Sequence, residues 1–167
     1  MNVCLPEEVE LEELNVNSIL LNEVKELLQE YGNYMYNGLG LIAGKERFFK
    51  ELEMFPGNIY SQPSGVFIIA KCGATLIGCV GIKKLDAYTC EMKRLFVRPA
   101  YRRRGTGLLI CDFLVQYSRK LKYKSILLDT NLEMKEAVEL YKKYGFKEIK
   151  AYCINENQNA VFMQYIL

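Results

Sequence analysis

The sequence predicts an α/β protein of the α+β type, with a single mixed, mostly antiparallel sheet and helices on both faces. Three β-rich runs separated by short turns lie between residues 65 and 97, as is typical of an antiparallel meander. A strand, a helix and a second apolar strand follow between residues 91 and 130, and such a unit joins parallel strands. Two helical patterns precede the meander, and a helix with two closing strands ends the chain.

The first sixty residues contain one short strand and two helices. Residues 8–13 alternate valine and leucine with glutamates, which predicts an edge strand. Apolar residues at helical spacing then predict a helix with Ser18 as its N-cap and Gly32 as its stop. A second helix is predicted over about 44–54, ending before a proline.

Turn residues and apolar runs define the remaining elements. Gly73 and Ala74 form a hairpin turn between the first two β-rich runs. The run from Ser125 to Thr130 is almost continuously apolar, as expected of a buried parallel strand. The predicted elements are strands at 65–72, 75–82 and 89–97, a helix at 105–122, a strand at 125–130, a helix at 133–144, and closing strands at about 146–154 and 159–166. Since no repeat and no linker interrupts this order, we predict a single domain over residues 1–167.

The composition is that of a globular chain with few routes to catalysis. Half of its 167 residues are hydrophobic and a quarter are charged. It has no histidine, which excludes Ser-His and Cys-His catalytic pairs and the usual general base. Its six cysteines form no C-x-x-C pair, so we expect no metal site. Proton transfer would therefore fall to carboxylates, tyrosine, cysteine, lysine or water.

Location is predicted from the same features. A chain of this length does not need disulfides to fold, so we expect reduced thiols and a cytoplasmic protein. No apolar run approaches the roughly 20 residues that span a bilayer, and no membrane association is expected. The amino terminus lacks the basic start and apolar block of a secretory signal.

The stretch from Leu95 to Ile110 organises the rest of the chain. Its first three residues read as the end of a strand, which Pro99 interrupts because proline has no N–H to donate. Arginines and glycines follow, and a helical pattern begins near Leu108. The free N–H groups at a helix N-terminus bind anions, and glycines let a phosphate approach the backbone. The pattern therefore predicts a phosphate-binding turn.

Two segments carry a resemblance to a known family. Arg102, Gly105 and Gly107 fit a pattern of Arg or Gln, two residues, Gly, one residue, Gly or Ala. The segment from Ala137 to Phe146 fits A-x-x-L-Y-x-K-x-G-F, about 30 residues downstream. With both in this order, the chain resembles the GNAT (Gcn5-related N-acetyltransferase) superfamily over roughly residues 65–167.

The resemblance implies a cleft for acetyl-CoA between two central parallel strands that splay apart. The backbone of the first strand would bind the pantetheine arm, and the following turn would bind the pyrophosphate. Guanidinium groups suit that role because they pair well with phosphate oxygens. The residues assigned to acetyl-CoA in this way are Leu95, Phe96, Val97, Arg102, Arg103, Arg104, Gly105, Thr106, Gly107 and Ala137.

Tyr141 is the catalytic acid that the resemblance implies. It occupies the tyrosine position of the second motif, whose hydroxyl protonates the departing CoA thiolate in many family members. A phenol with a pKa of about 10 is protonated at neutral pH and can donate. The structural alternative is a half-buried core tyrosine, which is common in helices.

Glu91 is the corresponding candidate base. Residues 91, 93, 95 and 97 are predicted to share one face of their strand, with 92, 94 and 96 on the other. In the resembled family, a glutamate at the start of this strand often takes the proton of the ammonium acceptor, directly or through water. The alternative is a carboxylate that only pairs with Lys93 or another basic neighbour. A backbone N–H near Phe96, at a strand distortion typical of the family, would polarise the thioester carbonyl.

Met134 departs from the family pattern, which often has an asparagine that contacts pantetheine three residues before Ala137. Thr130 and Asn131 are the nearby polar residues that could replace this contact. The departure concerns one polar contact and leaves the predicted fold unchanged.

The sequence therefore predicts an N-acetyltransferase that moves an acetyl group from acetyl-CoA to a primary amine of a small molecule or peptide. Residues 17–62 would form the acceptor side and residues 65–167 the acetyl-CoA core. Residues 1–90 carry 7 basic and 12 acidic side chains, a balance that would suit a cationic or amine acceptor. By analogy with the family, two chains could pair through their C-terminal strands into a homodimer.

Two other functions compete with this prediction. A non-catalytic acyl-CoA-binding or sensing module could have the same fold. A nucleic-acid-binding protein could use the basic segment 94–104, but the net charge of only +2 and the lack of a nucleic-acid motif disfavour it. We therefore expect no nucleic-acid partner.

Overall fold

The computed structural model describes residues 4–167 and contains one seven-stranded sheet with helices on both faces, which confirms the predicted fold class. The strands are β1 (Val9–Glu13), β2 (Gly65–Cys72), β3 (Thr75–Lys84), β4 (Thr89–Val97), β5 (Ser125–Asn131), β6 (Lys147–Ile149) and β7 (Ala160–Ile166). The helices are α1 (Leu21–Asn33), α2 (Lys45–Glu53), α3 (Thr106–Lys120) and α4 (Lys135–Tyr144). The strand order is β1-β2-β3-β4-β5-β7-β6, and β4 pairs with β5 in parallel while the other neighbours are antiparallel.

The sheet separates two apolar cores. On one face, Ile110 of α3 and Tyr141 of α4 pack with Ile68 of β2. On the other face, Leu27 of α1 packs in the same cluster as Phe67 of β2. Successive residues of β2 therefore point into opposite cores, which explains why this strand is apolar on both faces.

Helix α1 differs from the prediction at both ends. Ser18 is not its N-cap, because the hydroxyl of Ser18 accepts the N–H of Leu20 at 3.1 Å in a turn that precedes the helix. Gly32 is not its stop either, because the helix continues to Asn33 and then through a π-helical turn over Tyr34–Gly38. Gly32 lies instead inside the helix, where it gives space to the Phe48 ring of α2.

The predicted strand at 146–154 is wrong beyond residue 149, where β6 ends. Residues 150–159 leave the sheet and cross the cleft between β4 and β5. Tyr152 donates a hydrogen bond to Glu91 at 2.7 Å, and Asn155 donates one to Asp129 at 2.7 Å. These side-chain hydrogen bonds hold the segment as a loop over the cleft, which gives it an alternative to ladder pairing with β7.

The expectation that all six cysteines are reduced is wrong for one pair. Cys4 and Cys72 form a disulfide with their Cα atoms 6.2 Å apart. The antiparallel register of β1 on β2 causes this proximity, because Val9 pairs with Cys72 and the chain before β1 passes the same end of the sheet. The other four cysteines are free, and only Cys153 among them is exposed.

Across residues 4–167, no helix combines the length and the apolar character that a membrane crossing requires.

Candidate functional site

A cleft opens where the two parallel strands diverge. Strands β4 and β5 pair only between Thr89–Glu91 and Ser125–Leu127, and beyond these residues they separate. A cavity of about 830 Å³ lies on one side of the divergence and one of about 370 Å³ lies on the other. Both are lined by Tyr31, Leu95 and Met134, so the two cavities meet at the splayed strands.

A β-bulge in β4 lies at this meeting point. Cys79 of β3 pairs with Phe96 and Gly81 pairs with Lys93, so Arg94 and Leu95 together stand opposite a single residue of β3. Arg94 adopts a positive φ of 59°, which is uncommon for a residue with a side chain. The bulge leaves backbone groups of β4 outside the ladder, beside the cleft.

The bulge also reverses the alternation of side chains predicted for β4. Met92 and Val97 belong to the core under α3 and α4, whereas Phe96 belongs to the opposite core. Residues 91, 93, 95 and 97 therefore do not share one face, because the extra residue shifts the later side chains by one position.

The smaller cavity collects most of the residues that were assigned to acetyl-CoA. It is lined by Leu95, Phe96, Val97, Arg102, Arg103, Gly105, Gly107 and Ala137. Arg104 and Thr106 do not line it; Arg104 is exposed, and the Thr106 hydroxyl donates to the Tyr101 carbonyl at 3.2 Å. The cavity therefore joins the end of β4, the arginine turn and the first turns of α3 and α4.

The two glycines of the turn have distinct structural roles. Gly105 precedes α3 with a positive φ of 84°, a conformation that favours glycine. At Gly107, a Cβ atom would lie 3.0 Å from the Leu140 side chain, so this position permits close packing of α3 on α4. The free N–H groups of the first turn of α3 thus face a cleft that is narrow because of this packing.

Arg102 is ordered inside the cleft, whereas Arg103 is not enclosed. The Arg102 guanidinium donates to the Val97 carbonyl at 2.8 Å and lies 4.7 Å from the centre of the Tyr34 ring. It also lies 3.5 Å from a carboxylate oxygen of Glu136. The Arg103 side chain is 87% exposed and approaches the same carboxylate at 3.8 Å.

Tyr141 joins the core to the larger cavity. Its ring lies 5.8 Å from that of Phe146, and the side chain also lines the larger cavity. Burial, reinforced by nearby ionisable groups, raises the pKa of the Tyr141 phenol well above its usual value. The phenol is therefore a neutral hydrogen-bond donor throughout the physiological pH range.

Glu91 lies in the larger cavity at the last position where β4 pairs with β5, and only 4% of its surface is exposed. Its carboxylate accepts the hydrogen bond from Tyr152 and lies 3.5 Å from the Lys93 ammonium and 4.0 Å from that of Lys83. Burial, with this hydrogen bond to Glu91, raises the pKa of the Tyr152 phenol. Glu91 thus lines a cavity and is also paired with lysine, so both sequence-based interpretations describe part of its environment.

Arg94 of the bulge forms a buried ion pair with Glu51, which the sequence did not predict. Arg94 donates two hydrogen bonds to Glu51 of α2, at 3.0 and 2.9 Å, and its guanidinium lies 4.7 Å from the centre of the Phe48 ring. Tyr60 donates a further hydrogen bond to Glu51 at 2.8 Å. Burial alone would raise the pKa of Glu51, but these hydrogen bonds and the Arg94 charge hold it below its usual value.

Met134 lines both cavities at the start of α4. The Thr130 hydroxyl donates to its sulfur at 3.7 Å, and the Asn131 side-chain oxygen accepts the N–H of Glu133 at 2.9 Å. Thr130 and Asn131 also line the larger cavity, so both polar side chains remain beside the position where the family pattern has asparagine.

The basic segment 94–104 is not a continuous charged surface. Arg94 is paired with Glu51, Arg98 binds Glu30 through its guanidinium at 2.8 Å, and Arg102 is held in the cleft. The segment therefore presents mainly Arg103 and Arg104 to solvent.

Comparisons with known proteins agree with this architecture. A family model described as the acetyltransferase (GNAT) family matches residues 21–146. An uncharacterised N-acetyltransferase of Schizosaccharomyces pombe is 36% identical over 146 residues, which cover 86% of each protein. A crystal structure of an acetyltransferase from Streptococcus agalactiae superposes with a TM-score of 0.78 and 23% identity, covering 96% of this chain and 99% of that one.

A further structural neighbour was solved with coenzyme A bound. The PaiA N-acetyltransferase of Thermoplasma acidophilum, solved in complex with coenzyme A, superposes with a TM-score of 0.74 and 19% identity, covering 95% of this chain and 99% of that one. The fold, the splayed strands and the matching family model lead to one conclusion: the chain belongs to the GNAT family of acetyltransferases.

Proposed function

We propose that the protein is an N-acetyltransferase that moves the acetyl group of acetyl-CoA to a primary amine by direct attack in a ternary complex. The observation that carries this proposal is the meeting of two cavities at the β4 bulge, with Tyr141 and Glu91 lining the larger one. Acetyl-CoA would occupy the smaller cavity and the amine the larger one. The thioester would then lie between them, beside the bulge.

The smaller cavity suits the CoA part of the co-substrate. The N-terminus of α3 and the arginine turn offer N–H groups and positive charge for the pyrophosphate. The end of β4, which is unpaired on the side of β5, offers backbone groups to the pantetheine amides. Val97 could bind pantetheine through its carbonyl once Arg102, which now donates to it, turns toward a phosphate.

The reaction requires proton transfers at the amine and at the thiolate. The amine must lose a proton before attack, because amines with a pKa near 10 are mostly protonated at neutral pH. Glu91 would take this proton, directly or through water. A nitrogen–carbon bond then forms and the carbon–sulfur bond breaks. The attacking nitrogen loses its second proton to water, Glu91 releases its proton to solvent, and Tyr141 protonates the CoA thiolate and is reprotonated from solvent. A backbone N–H near Phe96 would stabilise the oxyanion, and orientation of the two substrates would supply much of the rate.

A mass-spectrometric screen tests this proposal. The protein would be incubated with acetyl-CoA and pooled amino acids, amines, aminoglycosides and peptides, and products heavier by one acetyl group would be recorded. Such a product would support the transferase. Calorimetric binding of acetyl-CoA without any product would favour a binding or sensing module, and absence of binding would contradict the proposed use of the smaller cavity.

A further inference from the structure

The larger cavity has few acidic groups to offer a cationic acceptor. Three carboxylates line it: Glu51, Glu91 and Asp129. Each is already engaged by a neighbour: Glu51 by a bidentate guanidinium, Glu91 by the Tyr152 hydroxyl, and Asp129 by the Asn155 amide at 2.7 Å. A polyamine would therefore find Glu51 already neutralised and Glu91 beside two lysine ammonium groups, with Asp129 as the one further carboxylate of the lining.

Positive groups outnumber these carboxylates around the same cavity. Its lining contains five cationic side chains, namely Arg47, Lys50, Lys83, Lys93 and Arg94. Arg94 is neutralised by its buried pair, and Lys50 pairs with Glu46 at 2.7 Å outside the lining. Even when Glu46 is counted, the positive charges exceed the negative ones by one. The cavity therefore repels any cationic group that the acceptor carries in addition to its reacting amine, and it attracts an anionic group.

Arg47 is the cation best placed to bind that anion. It lies on α2 at the exposed side of the cavity, and no ion pair to a carboxylate holds it within residues 4–167. Lys83 and Lys93, by contrast, both lie within 4.0 Å of Glu91. A guanidinium binds a carboxylate through two parallel hydrogen bonds, which gives geometry as well as charge.

The same cavity also has apolar walls. Met35, Leu41 and Ile59 line it in addition to the charged groups. Its volume of about 830 Å³ is in the range of small-molecule sites. An acceptor that fits must therefore combine an amine, an apolar body of modest size and a negative group.

We propose that the acceptor is a small primary amine that also carries a carboxylate, and that Arg47 pairs with this carboxylate. The inference rests on the transferase function proposed above and adds the acceptor class to it. The surplus positive charge also disfavours a second cationic group on the acceptor, beside the reacting nitrogen. Acetyl transfer then gives an N-acetylated acid and free CoA.

Matched acceptors test the proposal. We would compare L-phenylalanine, L-methionine and L-leucine with their primary amides and with the corresponding decarboxylated amines, and include spermidine as a polycation. The expected result is a kcat/KM at least tenfold higher for the amino acids than for the amides, the decarboxylated amines and spermidine, all of which lack the carboxylate. This is the scale expected of a hydrogen-bonded charge pair, roughly tenfold to a hundredfold.

Variants of α2 assign this preference to Arg47. Arg47→Glu should lower kcat/KM for the amino acids about tenfold to a hundredfold through KM, with little effect on the amides. Arg47→Lys should retain part of the preference, and Lys45→Gln, an exposed charge change on the same helix outside the cavity, should behave as wild type.

The outcomes separate the two proposals. Transfer to amides, decarboxylated amines or spermidine as efficiently as to the amino acids would overturn the anionic-acceptor inference and leave the transferase function standing. Equal effects of Arg47→Glu on acceptors with and without a carboxylate would also overturn it. Absence of transfer to every acceptor, with acetyl-CoA bound, would overturn the transferase function and this inference with it.

Discussion

Tyr141 has its ring in the core and its polar atom beside the larger cavity. Within residues 4–167, each fully buried side-chain oxygen or nitrogen has a hydrogen-bond partner. The Tyr141 hydroxyl makes no hydrogen bond to another described residue, so it does not belong to that fully buried set. This hydroxyl is therefore not sealed from solvent, although the residue as a whole is only 6% exposed. A neutral donor held rigidly at a cavity is well suited to protonate a leaving group.

Tyr141→Phe tests this role. The variant keeps the ring that packs on Phe146 and loses the proton donor, so kcat should fall about a hundredfold while acetyl-CoA affinity is retained. Tyr144→Phe is the matched control, because its hydroxyl lies on the same helix but donates to Asp112 outside both cavities. Steady-state kinetics and calorimetry measure the two effects. Unchanged turnover in Tyr141→Phe would remove this residue from the mechanism.

Glu91 is tested through the pH dependence of the rate. In Glu91→Gln only the amine that is already deprotonated can react, so the rise of kcat/KM should move toward the pKa of the amine, near 10. Tyr152→Phe keeps the carboxylate and loses one hydrogen bond, so it should lower the rate without moving the profile as far. A role confined to pairing with lysine predicts lower stability for Glu91→Gln with an unaltered profile, and that result would contradict catalysis by Glu91.

The sequence could predict local motifs but not contacts between residues that are far apart in the chain. The turn at 102–107 and the segment 137–146 could be located because their residues are close in the chain. Tyr152 and Arg94 could not be assigned to the site, because their partners Glu91 and Glu51 are 61 and 43 residues away. The loop that carries Tyr152 resembles a strand in its sequence pattern. The path of the loop is determined by tertiary hydrogen bonds, which the sequence pattern does not show.

Strand β4 depends on its bulge, and the buried Glu51–Arg94 pair supports that bulge from below. The Arg94 backbone is in an unfavourable conformation, and its carbonyl also accepts a hydrogen bond from the Cys79 thiol at 3.4 Å. Strain of this kind persists only where surrounding contacts fix the conformation. The ion pair therefore links helix α2, on the acceptor side, to the strand that would carry the thioester.

Removing one partner of this pair should be costly. Arg94→Met should lower the free energy of unfolding by about 3–5 kcal/mol, because Glu51 remains buried without a cation. The triple variant Arg94→Met, Glu51→Leu, Tyr60→Phe should recover a large part, since no buried polar group is left unpaired. Urea denaturation measures both. Equal losses in the two variants would indicate that shape, and not charge pairing, supports the bulge.

The pH dependence of the same variant has a definite sign. In the wild type the pKa of Glu51 is below its usual value, so its contribution to stability is present above that value and is lost in acid. In Arg94→Met burial raises the pKa of Glu51, opposed by the Tyr60 hydrogen bond and the Lys93 charge, which are the weaker influences on it. The stability of the variant should therefore decrease as pH rises above about 4.3, the usual glutamate value. In the wild type Glu51 should instead add stability as pH rises toward that value, with no further slope above it.

At the scale of the whole molecule, charge summed along the chain is a poor guide to charge in a cavity. Residues 1–90 are acidic overall, but their glutamates are concentrated before β2, in the amino-terminal segment and α1. The same half contributes Arg47, Lys50 and Lys83 to the larger cavity. Folding therefore places a positive surface inside an acidic half, which sequence composition cannot reveal.

The Cys4–Cys72 disulfide links the amino-terminal segment to the rest of the molecule. Its closed loop spans 68 residues of sequence and includes β1, α1 and α2. This segment also reaches the arginine turn, because a Cβ atom on Gly105 would lie 3.8 Å from Pro6. The disulfide therefore encloses the acceptor-side helices in one covalent ring, and Pro6 of that ring lies beside the turn before α3.

Breaking this ring should destabilise the whole fold. In the loop-entropy model, removing a disulfide of this span costs about 4 kcal/mol, so Cys4→Ser should lower the urea midpoint in the absence of reductant. Reductant should lower the midpoint of the wild type and leave Cys4→Ser unchanged, and Cys153→Ser, which removes an exposed free thiol, should behave as wild type. Alkylation in denaturant should label four thiols without reductant and six with it. Six labelled thiols without reductant would contradict the disulfide, and the acceptor-side helices would then be held to the sheet by apolar packing and by pairs such as Glu51–Arg94 and Glu30–Arg98.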